Sequence, residues 1–258
     1  MVITELNENG DYIFMKNTIR RWAIGAVGMA LTISFVGTTV PAQQAKDSKE
    51  VTKQKKEGRV EVREATKAFQ AVMNVPDQGI PRELLEKAEA IGVFPNVVKA
   101  GFIIGGSGGD GVVARRTEKG WSAPVFYNIG GSSFGAQFGA AKTDYIMLFM
   151  NEGALQELLD DKVEFEGSLS FAAGPVGRTV AAGTNLTADA AILIYSRSKG
   201  LFAGATIGGA VLTADNSINE AFYKMKAFEI LEKPESVSMT NVSSDLQNFS
   251  STVKQYAK

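Results

Sequence analysis

The chain has 258 residues, 45% hydrophobic and 21% charged, enough to build one large core or two small ones. Its 27 Lys and Arg nearly cancel its 28 Asp and Glu, so the whole-chain charge gives no nucleic-acid footprint. With neither Cys nor His, disulfides, thiolate nucleophiles, Cys metal sites and Ser-His-Asp or Cys-His catalysis are excluded; an enzyme would have to run on Asp, Glu, Lys, Tyr or a cofactor.

In chain order, Lys16, Arg20 and Arg21 precede an apolar run from Trp22 to Val36, and Val40-Pro41-Ala42 offers short residues for cleavage. That pattern predicts a secretory signal peptide cut after Ala42. The charged stretch Met1–Phe14 in front of it fits a misplaced start codon or a long n-region. An uncleaved anchor is the competing reading. A spanning helix wants about 20 strongly apolar residues, and Gly25, Gly28, Thr32, Ser34 and Gly37 dilute this run. Export of a thiol-free chain suits a bacterial periplasm or exterior.

From Gln43 to Val75, Val62, Ala65, Phe69, Val72 and Met73 recur at helical spacing among mixed charges. The spacing predicts an amphipathic helix, packed on the domain or lying on an anionic membrane. Pro81 opens a second short helix, with Leu84, Leu85, Ala88 and Ile91 on its buried face. From Val93, short β-rich runs alternate with glycine turns, among them FIIGG, GVVARR, APVFYNI and AILIYSR. Such runs predict an antiparallel sheet, sandwich or barrel. Asn151 caps a helix within this region, NSINEAFYKMKAFEIL (Asn216–Leu231) reads as another, and Val242, Leu246, Phe249, Val253 and Tyr256 mark a terminal helix that docks back on the domain. The fold class expected is α+β, with a β-rich antiparallel core, sandwich or barrel-like, and helices at both ends.

Gly106-x-Gly108-x-x-Gly111 matches the dinucleotide fingerprint on paper. The motif works only when a helix follows and receives the pyrophosphate. Here Val112-Val113-Ala114-Arg115-Arg116 follows, a β-branched run ending at a turn. The reading is therefore a hairpin, FIIGG against GVVARR, turning at Ser107–Asp110. No cofactor is expected. Gly131, Gly135 and Gly139 recur every fourth residue, which on one sheet face leaves room for a crowding helix or, as a sharper option, an acyl chain. Trp121, beside a turn, reads as a core anchor or an interfacial aromatic.

The run from Ala90 to Tyr223 resembles the SYLF domain family of lipid-binding and actin-regulator modules. The segments that carry it are AIGVFPNVVKAGFIIGG, GVVARR, GWSAPVFYNIGGSSFGAQFGAAKTDYIMLFMN, AAGPVGR, IYSRSKGLFAGATIGG and DNSINEAFY. The family pattern ends in Tyr-Gly, where this chain has Tyr223-Lys224. The resemblance implies a non-enzymatic module that binds acidic phospholipid through basic residues and an N-terminal amphipathic helix. Some relatives bind actin, which an exported copy would not meet. Domains follow as an extension and signal peptide (1–42), a SYLF-like domain (43–232) and a polar tail with a short helix (233–258).

The cations placed to serve such a surface are Lys53, Lys56, Arg59 and Arg63 on the first helix, and Lys99, Arg178, Arg197 and Lys199 in the β-rich part. Arg178 lies in a Gly-Pro-Val-Gly-Arg turn that could hold a phosphate. Arg197 and Lys199 alternate along a strand and so share a face. The alternative is that these cations pair with Asp144, Asp189 or Asp215. The partner expected is anionic phospholipid or an envelope surface, not nucleic acid. The other readings are an oligomer-forming envelope protein, a protein-partner module and, last, a nucleotide-dependent oxidoreductase.

Overall fold

A computed structural model describes residues 40–75, 79–101, 104–134, 139–160, 162–165, 170–177, 190–205, 207 and 209–257. The predicted signal peptide up to residue 39, Arg178 and Asp189 lie outside them; Val40–Ala42, at its expected cleavage site, open the first helix.

Helix α1 (Val40–Met73) covers 34 residues. Val62, Ala65, Phe69 and Val72 are fully buried along one side, so its apolar stripe is committed to the core. Between residues 47 and 61 only Gly58 is buried. A Cβ there would lie 2.7 Å from Phe222 and 2.9 Å from Ile218, so glycine lets the helix sit directly on those side chains. Helix α2 (Arg82–Lys87) follows Pro81 as predicted but is shorter than expected: Leu85 is its buried residue, Ala88 caps it, and Ile91, expected on its buried face, lies in the first strand.

Among the described residues, ten strands form one sheet. They are β1 (Ala90–Gly101), β2 (Ile104–Thr117), β3 (Gly120–Trp121), β4 (Val125–Phe134), β5 (Gly139–Phe149), β6 (Lys162–Glu164), β7 (Phe171–Ala173), β8 (Ile192–Ser198), β9 (Leu201–Gly204) and β10 (Ala210–Ala214). The order is β6-β10-β4-β2-β1-β5-β8-β7, with β3 on β2 and β9 on β8. Every pairing is antiparallel except β7 with β8. The sheet curls as a half-barrel, and the class is α+β with an antiparallel core, as expected.

Alternation along the strands sends side chains into two separate cores. Val112, Phe126, Ile146, Leu148, Leu193 and Tyr195 meet α1 and the C-terminal helix α6 (Ser244–Tyr256). Val113, Tyr127, Met147, Phe149, Ile192 and Ile194 meet α3 (Glu152–Leu159) and α5 (Ala227–Glu232). Burial on both faces explains why these strands read as nearly continuous apolar runs. Consecutive Arg115 and Arg116 stitch the layers. Arg115 donates to the Leu231 carbonyl at the end of α5 (2.6 Å), and Arg116 to the Leu85 and Ala88 carbonyls at the end of α2. Both guanidiniums satisfy carbonyls that a helix C-terminus leaves unpaired. Trp121 is buried beneath Arg116, whose Cζ is 4.4 Å from the ring centroid, so the core-anchor reading is the one observed.

Further expectations change. The fingerprint glycines Gly106–Gly111 lie inside β2 rather than in a turn, and the β1–β2 connection comes before Ile104. They serve close approach. A Cβ on Gly111 would sit 2.5 Å from the Val93 carbonyl oxygen and closer still to the Phe94 ring. The crowding at Gly131 likewise comes from a strand and not a helix, since a Cβ there would meet the Gly209 carbonyl oxygen at 2.5 Å. The single helix expected over 216–231 is two, α4 (Asn216–Tyr223) and α5. The break falls at Lys224, which adopts the left-handed conformation (φ 60). Asn216 Oδ1 accepts the Ala227 amide and Glu229 the Lys226 amide, which fixes the start of the second helix.

The caps and the tail are as read. Asn151 accepts the Ala154 amide at 2.9 Å. In α6, Leu246, Phe249 and Val253 are fully buried, and Tyr256 donates to Asn74 Oδ1 at the end of α1.

Candidate functional site

The structure sorts the predicted cations by what they touch. Arg63 reaches Asp245 of α6 (3.6 Å) and Lys53 reaches Glu50 (3.9 Å). Thr52, Lys55, Lys56, Arg59 and Arg63 line a shallow groove of about 390 Å³ along α1. Their spacing of three and four residues makes them one stripe, on the side of the helix away from its buried face. Sequence reading missed Lys55 as part of it.

In the sheet, Lys99 places its ammonium 5.3 Å from the Tyr145 ring centroid. Arg197 donates through Nε and Nη2 to Asp144 Oδ2 (3.0 and 2.8 Å), while Asp144 Oδ1 accepts the Asn96 amide (2.9 Å). One carboxylate thus ties β8, β5 and the β1 bulge together, and the Arg197 charge is spent on it. The bulge is where the register of β1 shifts and Asn96 takes φ 53. Lys199 is not on the strand beside Arg197. It sits in the two-residue turn after β8, with φ 50. The α1 cations and Lys199 are therefore not joined into one pocket.

Between α1, the β1 bulge, β2 and the N-cap of α4 lies a cleft of about 870 Å³. Lys53, Lys56 and Val60 border it from α1, with Asn96 and Val98 from β1. Glu57, Glu61, Asp110 and Asp215 give it an acidic floor. The Glu61 Oε1 atom is buried with no hydrogen-bond partner. Burial, followed by repulsion from Asp110 and Asp215, pushes the Glu61 carboxyl up to about 9, so it carries its proton at neutral pH. Asp110 is raised as well, by withdrawal from water and then by Asp215 and Glu57. Asp215 also caps α4, accepting the Ile218 amide at 3.1 Å. Among the described residues, no group of three or more Asp or Glu side chains is placed to hold a metal ion.

Sequence reading did not find this cleft. Its carboxylates come from positions 61, 110 and 215, and no motif links them. The available signal was phase. Gly58, Glu61 and Ala65 lie along the buried edge of α1, and a carboxylate on that edge must find either a partner or a proton.

The family model described as "Ysc84: Las17-binding protein actin regulator" matches residues 130–256. The SH3 domain-containing YSC84-like protein 1 of Bos taurus is 33% identical over 162 residues, 61% of this chain and 47% of that protein. The LAS seventeen-binding protein 3 of Saccharomyces cerevisiae (strain ATCC 204508 / S288c) is 33% identical over 151 residues, 57% of this chain and 33% of that protein. The SH3 domain-containing protein PJ696.02 of Schizosaccharomyces pombe is 36% identical over 149 residues, 56% of this chain and 34% of that protein. The matched region spans between a third and a half of these relatives' length.

Proposed function

This chain belongs to the SYLF family, and from that premise we propose that it is a non-enzymatic binding module whose ligand is an acidic phospholipid surface. The observation that carries the reading is the Lys55, Lys56, Arg59 and Arg63 stripe on α1. The apolar side of that helix is already spent on the core. What α1 offers to a membrane is a rigid row of cations, not a greasy face. A juxtamembrane cation is worth about 1 kcal/mol at an anionic surface, so a row of them gives reversible, salt-sensitive attachment.

The test is cosedimentation with phosphatidylcholine vesicles with and without phosphatidylserine, across a salt series. Binding is expected only with phosphatidylserine and weakens as salt rises. The triple variant Lys55→Glu/Lys56→Glu/Arg59→Glu is expected to lose it at least tenfold. No binding to anionic vesicles at low salt removes the proposal. A second reading, a protein partner, is favoured by the relatives, one of which is the LAS seventeen-binding protein 3. It gains if the vesicle result is negative. We propose further that the module acts after export and cleavage at Ala42. N-terminal sequencing of the mature protein checks this; a start upstream of Trp22 would refute it.

A further inference from the structure

The β8–β9 hairpin turns in two residues. Ser198 pairs with Leu201 and Arg197 with Phe202, leaving Lys199 (φ 50) and Gly200 (φ 82) at the corner. Positive φ at both positions is the geometry of a tight hairpin turn, which matches the twist of the strands and keeps the tip stiff. The base is locked too. Phe202 stacks on the buried Tyr195 (centroids 5.6 Å apart, 7° between planes), and the Tyr195 ring leaves no room for a side chain at Gly174. The tip itself stands clear, for a Cβ on Gly200 would meet no described atom within 4 Å.

On this tip Leu201 is 79% exposed. The other exposed large apolar side chains among the described residues lie between 38% and 45%. A lone surface Leu is ordinary. This one is held outward by a rigid turn, two residues after a lysine that forms no ion pair among the described residues. The Ser198 hydroxyl donates to the Lys142 carbonyl (3.3 Å), which brings a second exposed lysine beside the turn. Lys142 in turn pairs with Val98 of β1, at the edge of the α1 cleft. Val98, Lys142, Ser198 and Leu201 thus step across four adjacent strands, β1, β5, β8 and β9, from the α1 cleft to the tip.

We infer that the Lys199-Gly200-Leu201 tip is a membrane-insertion finger: Leu201 enters the acyl boundary of an acidic bilayer while Lys199 and Lys142 meet its headgroups. The inference rests on the lipid reading above and adds the element that penetrates. Charge complementarity and the exposed apolar tip together fit a bilayer interface, which is apolar inside and anionic at its rim.

The chain has no Cys, so Leu201→Cys carries a single thiol for an environment-sensitive fluorophore. Leu201 is exposed, so the variant folds; an unchanged circular dichroism melt checks that. With phosphatidylserine vesicles the label at 201 is expected to shift to the blue and to be quenched by lipid-borne quenchers. A label on Glu118→Cys, in the β2–β3 turn at the opposite end of the sheet, stays in water. Leu201→Ala is expected to lower vesicle partitioning about tenfold with the salt dependence unchanged. Vesicle binding with an aqueous signal at 201 overturns the finger and leaves the lipid reading standing. Absence of all binding at low salt removes both. A blue shift without vesicles would assign the tip to a second copy of the chain and also overturn the inference.

Discussion

Lys224 ends α4 with φ 60 and ψ 26, a conformation that costs an L-residue roughly 1–2 kcal/mol. The SYLF pattern carries glycine here, and the backbone shows why. Lys224→Gly should stabilise the fold by about 0.5–1 kcal/mol, the relief of strain outweighing glycine's larger unfolded-state entropy. Urea unfolding would show a higher midpoint at unchanged slope; an equal or lower midpoint would count against it. Gly111 is the reverse case. Its missing side chain leaves space taken by the Val93 carbonyl and the Phe94 ring, so Gly111→Ala should cost about 3 kcal/mol. A loss under about 0.5 kcal/mol would mean that β1 can move aside. Both positions were visible in the sequence as a departure and a motif. What each glycine position does is set by a φ angle or by the strand opposite, and no spacing rule reports either.

Helix α1 shows the same division within one element. Its apolar stripe was legible, because burial at every third or fourth residue is a local periodicity. The fate of its charges was not. Glu61 keeps its proton in the folded chain up to about pH 9, while the unfolded chain releases it near the ordinary value of 4.5. The folded state therefore binds the extra proton between those limits, and stability falls as pH rises from about 4.5 to about 9. Asp110 contributes with the same sign. Glu61→Gln removes the titration and should flatten that slope, with the two proteins alike below pH 4.5. Denaturation curves at a series of pH values decide it, and parallel profiles would sink the account. No helix follows the fingerprint glycines, as the β-branched run after them predicted, yet they were misplaced in a turn. A run of glycines satisfies turn chemistry and close strand packing equally, and only the partner strand separates the two.

At the scale of the whole molecule, the sheet serves two cores, and the tail closes one of them. Leu246, Phe249 and Val253 of α6 are fully buried beside Phe69 and Trp121. Each such side chain is worth about 1.5–3 kcal/mol on burial, so deleting residues 243–258 should cost several kcal/mol. The expected readout is a large drop in melting temperature; a truncated chain that melts like the full one would refute it. An antiparallel α+β fold with docked terminal helices was determined by the sequence alone, since hydrophobic periodicity, caps and proline positions act over a few residues. The family resemblance was legible too, because its motifs are contiguous. Only the tertiary structure decided that Arg197 is neutralised by Asp144, that residues 61, 110 and 215 share a cleft, and that Lys199 and Leu201 stand on a free tip. Desolvation and charge pairing depend on separations of a few ångströms through space, and residues fifty or a hundred and fifty positions apart along the chain give no measure of those.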